Sequence, residues 1–110
     1  MASSAAFARF KSRVIAVVAA IPEGRVTTYG TIGRYLDATP RQVAFVMATL
    51  TDEESAELPW FRVVAANGIV STTKLGAVGR RQIARLRGEG VSVTARNKVV
   101  EFDSIVWSPG

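Results

Sequence analysis

The stretch Thr39-Pro40-Arg41-Gln42-Val43-Ala44-Phe45-Val46-Met47-Ala48-Thr49-Leu50 decides the fold. Threonine at the N-cap, proline at the first helical position and glutamine two residues further form a capping box, which satisfies N–H groups that the first turn otherwise leaves unpaired. Val43, Val46, Met47 and Leu50 then recur at helical spacing and define a buried face, with Arg41, Ala44, Phe45 and Ala48 opposite. Upstream, Thr28 is the N-cap of a shorter helix reaching about Leu36, with Ile32, Tyr35 and Leu36 as its apolar members, and Asp37-Ala38 makes the turn. Two short helices joined by a tight turn read as a helix-turn-helix.

A recognition helix that enters the major groove carries Asn, Gln or Ser to read base edges. This one presents mostly small residues beside one long arginine. Such a face fits a narrow groove and the insertion of a side chain into the base stack. Equally, Ala44 and Ala48 can pack against another helix while Arg41 stays a solvated surface charge, and the pattern alone leaves both readings open.

Composition narrows the chemistry. The chain has 110 residues, so residues 1–110 are expected to form a single domain. Its 48% apolar content supports a core, and no apolar run approaches the roughly 18–20 residues that span a bilayer. The N-terminal residues lack the charged start and long apolar stretch of a secretory signal, so a soluble, cytoplasmic protein is expected. There is no cysteine and no histidine, which excludes disulfides, thiolate chemistry and Cys/His zinc sites. The nine carboxylates, three lysines and two tyrosines show no pairing that suggests acid/base work, and no cofactor is expected. Eleven of the fourteen basic residues are arginine and the net charge is +5, which points toward nucleic acid because the guanidinium fork matches phosphates and base edges.

In the remaining chain, Ser3 or Ser4 is expected to cap a first helix carrying Phe7, Phe10, Val14, Val17, Val18 and Ile21 inward, ended by Pro22-Glu23-Gly24. Asp52, Glu53, Glu54 and Glu57 read as solvated acids in a mobile loop, without a metal site. Trp60 stands where that loop turns into residues 61–65, and a tryptophan there either floors a pocket or fills a core. Asn67-Gly68 between residues 61–65 and 68–71 signals a β-hairpin, the wing of a winged helix. A helix over residues 77–88 puts Val78, Ile83 and Leu86 inward; Arg80, Arg81, Arg85 and Arg87 form a phosphate-facing band or a solvated face, the latter favoured for Arg85 and Arg87. Two β-like pieces follow, and Trp107 anchors the tail.

These pieces occur in a familiar order. Val26-Thr27-Thr28-Tyr29-Gly30-Thr31-Ile32, Pro40-Arg41-Gln42-Val43-Ala44, Pro59-Trp60-Phe61-Arg62-Val63-Val64, Asn67-Gly68 and Glu89-Gly90-Val91 resemble the O6-alkylguanine-DNA alkyltransferases from about Phe7 to Val91. In the repair enzymes of that family the central segment reads Pro-Cys-His-Arg-Val, and the cysteine accepts the alkyl group. Trp60 stands here in place of the cysteine and Phe61 in place of the histidine, so the chain is similar to the alkyltransferase-like branch, which binds alkylated DNA without repairing it. An indole cannot act as the nucleophile that a thiolate is.

The resemblance implies a mainly α fold with a small β-hairpin, a winged helix-turn-helix that docks in the minor groove of duplex DNA as a monomer. It implies that Tyr29 presses on the phosphate 3′ to the lesion and that Arg41 fills the space vacated by the flipped nucleotide. Pro59, Trp60, Val64, Ser71 and Thr73 would form the alkylguanine pocket, with Lys74 as the substitute for an arginine that some relatives carry in this stretch and direct at the modified base. Thr27, Thr28, Gln42, Ala44, Phe45, Ala48 and Arg62 would make the remaining DNA contacts. The function implied is a non-enzymatic sensor of O6-alkylguanine that marks the lesion for nucleotide excision repair proteins, with a cavity that admits bulky O6 groups. Two alternatives are a winged-helix transcription regulator that does not flip bases and an enzyme built on Tyr29 or a carboxylate.

Overall fold

A computed structural model describes residues 2–70 and 76–110. Among the described residues six helices run in chain order: α1 Ala2–Ala19, α2 Tyr29–Leu36, α3 Pro40–Ala48, α4 Asp52–Glu57, α5 Ala77–Gly88 and α6 Phe102–Ile105. Two short strands, β1 Thr27–Thr28 and β2 Val63–Val64, pair in parallel, and 3₁₀ turns occur at Trp60–Arg62 and Ala66–Gly68.

The α2–α3 unit forms for the reasons its sequence gives. Thr28 Oγ1 accepts from the Thr31 N–H at 3.0 Å and starts α2. Asp37 ends it in the left-handed region at φ 58°, and the Ala38 N–H closes back onto the Gly33 carbonyl at 2.7 Å. A Cβ on Gly33 would stand 2.6 Å from the Ala38 oxygen, so glycine is what lets the two helices approach through so short a turn. Both halves of the α3 capping box are present: the Thr39 N–H donates to Gln42 Oε1 at 2.8 Å, and the Gln42 N–H donates to Thr39 Oγ1 at 3.1 Å. Val43 and Val46 then reach zero exposure against Val14, Val18, Ile21, Ile32 and Val63. Each such side chain contributes about 1.5–3 kcal/mol of burial.

A second apolar cluster joins Val26, Phe61, Val64, Val70, Leu86, Val91, Val93 and Val99. The two clusters meet at β2, where alternation sends Val63 into the first and Val64 into the second. Val26 also bridges Val106 in the tail, Arg25 Nε donates to the Ile105 carbonyl at 2.9 Å, and the Trp107 N–H donates to the Val26 carbonyl at 2.7 Å. Trp107 packs against the first cluster, the anchoring expected of it.

Several expectations need correction. The fold is mainly helical with a small sheet, but that sheet is not a hairpin at Asn67-Gly68: β2 pairs with β1 in parallel, and Ile69 pairs instead with Lys98. Asn67 and Gly68 do supply the positive φ angles, 64° and 81°, of a tight turn closed by the Ala65 N–H on the Ile69 carbonyl at 2.8 Å. Distant segments provide the strand partners. The acidic stretch is helix α4, not a loop. Thr51 and Glu54 form a second capping box at 2.8 and 3.1 Å, and Asp52, Glu53 and Glu54 crowd the first turn, where the helix dipole favours negative charge. Lys11 reaches Glu54 at 3.0 Å and ties α4 to α1. The Thr51 N–H first, and Lys11 second, hold the Glu54 carboxyl below its ordinary range. Helix α1 runs from Ala2, so Ser3 and Ser4 lie within its span. Val78, expected inward, is 51% exposed.

Arg62 and Glu89 clamp the assembly. Arg62 Nε lies 3.0 and 3.1 Å from the two Glu89 oxygens, Nη2 also reaches Oε2, and Nη1 donates to the Ile21 carbonyl at 2.7 Å. The Gly24 N–H donates to Glu89 Oε1 at 3.1 Å. Burial pushes the Glu89 carboxyl up, but the Arg62 hydrogen bonds, the Gly24 N–H and the charges of Arg62 and Arg85 outweigh it, so it ionises below its usual range. A depressed folded-state pKa contributes stability above the unfolded value, about 4.3, and loses it as pH falls through the folded value. Arg62→Ala is expected to cost about 3 kcal/mol. Glu89→Gln is expected to flatten the acid limb of the stability profile; thermal melts between neutral pH and pH about 3 check both.

Candidate nucleic-acid interface

A cavity of about 400 Å³ opens where α2, α3, α4, α5 and the Trp60–Arg62 turn converge. Tyr29 enters it from the start of α2, Ala44, Met47 and Ala48 from α3, Asp52 and Ser55 from α4, and Val78, Arg81 and Gln82 from α5. Leu50, Trp60 and Val63 also line it. Four residues expected at the DNA interface or pocket, Tyr29, Ala44, Trp60 and Ala48, are therefore gathered around one opening. Its volume falls within the roughly 300–1,000 Å³ of small-molecule sites.

Trp60 is held by its neighbours. Its ring meets Phe61 edge to face, with centroids 6.0 Å apart and planes at 89°. Phe61 is 2% exposed and lies in the second cluster, away from the cavity lining. The Arg85 guanidinium sits 4.4 Å and the Arg62 guanidinium 5.4 Å from its ring centre, so cations cover the ring by attraction to its π face. Arg85 is thus not merely a solvated charge, and neither is Arg87, whose Nη2 donates to the Val93 carbonyl at 2.8 Å. Gln82 Nε2 donates to the Phe61 and Val63 carbonyls at 3.1 and 2.9 Å, bolting the tryptophan-bearing segment to α5.

Arg41 lies on the other side of α3's outward face. It is exposed at the helix's first turn, one turn before Ala44, and borders a shallow groove with Phe7, Phe10 and Phe45. Phe45 is 61% exposed, its ring set edge-on to Phe7 at 5.7 Å. Gln42 is exposed beside Arg41, but its carboxamide oxygen is engaged in the capping box.

Other residues expected at the site are placed away from the cavity. Thr27 is fully buried and Thr28 is engaged as the α2 cap, so strand pairing turns both away from a surface role. Val64 is 1% exposed in the second cluster; its neighbour Val63 lines the cavity instead, because alternation along β2 allows one of the two to face it. Arg62 has all three guanidinium nitrogens engaged by Glu89 and Ile21, so it serves as an internal clamp. Pro59 caps the 3₁₀ turn without lining the cavity. Ser71, Thr73 and Lys74 lie outside the described residues. Sequence reasoning missed Met47, Val63 and the whole α5 wall. For Gln82 a signal existed, since Val78, Gln82 and Leu86 follow one another at intervals of four and place an amide within an apolar stripe.

A helix-turn-helix that presents Ala44 and Ala48 beside a cavity of about 400 Å³ has the form of a DNA-binding domain. The chain belongs to the family of the 6-O-methylguanine DNA methyltransferase DNA-binding domain, whose family model matches residues 9–91. The DNA base-flipping protein of Escherichia coli is 43% identical over 93 residues, 82% of this chain and 68% of that protein. Alkyltransferase-like protein 1 of Schizosaccharomyces pombe is 38% identical over 86 residues, 76% of this chain and 78% of that protein. Among solved structures, S. pombe Atl1 in complex with damaged DNA containing O6-carboxymethylguanine superposes with a TM-score of 0.79 at 34% identity, covering 93% of this chain and 97% of that one. The Mycobacterium tuberculosis O6-methylguanine methyltransferase superposes with a TM-score of 0.57 at 27% identity, over 73% of this chain and 47% of its own.

Proposed function

We propose that this protein is a non-enzymatic sensor of O6-alkylguanine in duplex DNA. The observation that carries the reading is the placement of Trp60 in the wall of a cavity that opens beside the small-residue face of α3. With α3 in the minor groove, Ala44 and Ala48 let the helix approach closely, and Arg41 at its leading end enters the stack where the nucleotide has left. Extrusion costs a few kcal/mol, least where pairing is already impaired, so a base alkylated at O6 leaves the stack more readily than guanine does. Tyr29, at the junction of β1 and α2 and on the cavity rim, supports the rotated backbone.

The cavity holds the base without changing it. Trp60 offers no nucleophile and Phe61 no proton relay, and with neither cysteine nor histidine in the chain no other side chain replaces them. An unrepaired lesion held outside the helix is a signal for other proteins, and handover to nucleotide excision repair follows from that logic, at the DNA in the cytoplasm or nucleoid. Beyond Arg41 and Gln42, whose carboxamide oxygen is held in the capping box, the outer face of α3 carries Ala44, Phe45 and Ala48 where a sequence-specific regulator presents polar base readers.

Arg41→Ala is expected to lower affinity for an O6-methylguanine duplex by about tenfold or more, because the wedge is lost together with the charge. Arg96→Ala, which removes a surface charge alone, is the comparison in a fluorescence anisotropy titration; equal losses would refute the wedge. Trp60→Cys incubated with the same duplex is expected to yield no stable S-alkyl adduct by mass spectrometry, and an adduct formed at ordinary repair rates would show that the relay is dispensable.

A further inference from the structure

Among the described residues, Thr27, Thr28 and Gln82 are the buried polar side chains, and of these Gln82 lines the cavity. It is 4% exposed. Its amide orientation is not free. Nε2 donates both protons, to the Phe61 carbonyl at 3.1 Å and the Val63 carbonyl at 2.9 Å, and a flipped amide would set oxygen against oxygen at both contacts. Oε1 is therefore fixed as an acceptor. It takes no hydrogen bond from the described residues, yet among them Thr27 Oγ1 is the buried side-chain atom sealed off without a partner. Gln82 lines the cavity, and Oε1 is the end of its amide that neither main-chain carbonyl holds.

We propose that Gln82 Oε1 accepts a hydrogen bond from the exocyclic 2-amino group of the extruded base and so selects guanine-derived lesions. The proposal rests on the function proposed above. Alkylation at O6 removes the N1 proton, which leaves the 2-amino group as the one hydrogen-bond donor on the base. N1, N3, N7 and O6 then all accept. A fixed acceptor in the wall consequently reads which base has been alkylated and is indifferent to the alkyl group it carries. O6-alkylhypoxanthine and O4-alkylthymine have no donor to offer, and with either of them Oε1 would be left unpaired and desolvated. Asp52 and Ser55 also border the cavity, but Asp52 is exposed and its carboxylate stays accessible to water, whereas Oε1 is held in place by the two main-chain contacts on the other end of its amide.

The test compares two duplexes that differ in one group, O6-methylguanine and O6-methylhypoxanthine in the same sequence, against wild type, Gln82→Lys and Gln82→Met. Lysine keeps donors for the Phe61 and Val63 carbonyls and loses the acceptor; methionine loses both. The ratio of the two affinities is expected to fall about three- to tenfold from wild type to each variant, the effect of one hydrogen bond, while differences in duplex stability cancel. An unchanged ratio in Gln82→Lys would overturn the proposal and move the acceptor elsewhere on the wall. A wild type that binds O6-methylguanine and guanine duplexes equally would overturn the proposed function itself, and this inference with it.

Discussion

Arg62 holds the site in place from the inside. Its guanidinium joins the end of α1, through the Ile21 carbonyl, to the end of α5, through Glu89, and the 3₁₀ turn that carries Trp60 lies between those two anchors. A buried ion pair is a weak source of net stability, since desolvation consumes most of what the charges gain. Its contribution here is geometric. With Arg62 fixed, Phe61 is pressed into the second cluster under the Arg85 guanidinium, and Trp60 is left standing edge-on at the cavity wall. Gln82 adds a second fastening from α5 through the Phe61 and Val63 carbonyls. Five consecutive residues, Trp60 to Val64, thus serve in turn as pocket wall, core, clamp, joint between clusters and core again.

The helix-turn-helix was legible because its determinants are local. A capping box, an N1 proline and a four-residue apolar spacing lie within one stretch of α3, and Gly33 and Asp37 fix the turn before it. The same motif at Thr51 and Glu54 was overlooked because a run of acids looks solvated, although acids in a first turn favour a helix. The residues placed away from the cavity share a different cause. Thr27, Val64 and Arg62 are buried by partners 27 to 41 residues away, through the β1–β2 pairing and through contacts with Glu89 and Ile21. Periodicity within a segment cannot reveal such partners. Likewise Asn67-Gly68 correctly marks a turn, but the strands beside it pair with β1 and the tail rather than with each other.

Of the candidate site, the family resemblance supplied Tyr29, Arg41 and Trp60, and the fold brings Tyr29 and Trp60 to one cavity with Arg41 at the leading end of the adjacent helix. The α5 wall was not legible, because its residues meet the cavity only once the helix is bolted to the Trp60 turn. That wall gives the cavity an amide and an arginine, Gln82 and Arg81, beside Val78.

The central claim is that the lesion base enters the cavity and lies against Trp60. Emission from Trp60 tests it most directly, measured in a Trp107→Phe background so that one indole remains. Titration with an O6-methylguanine duplex should quench or shift that emission at concentrations where the matched guanine duplex leaves it unchanged. An identical response to both duplexes, at equal affinity, would contradict the account.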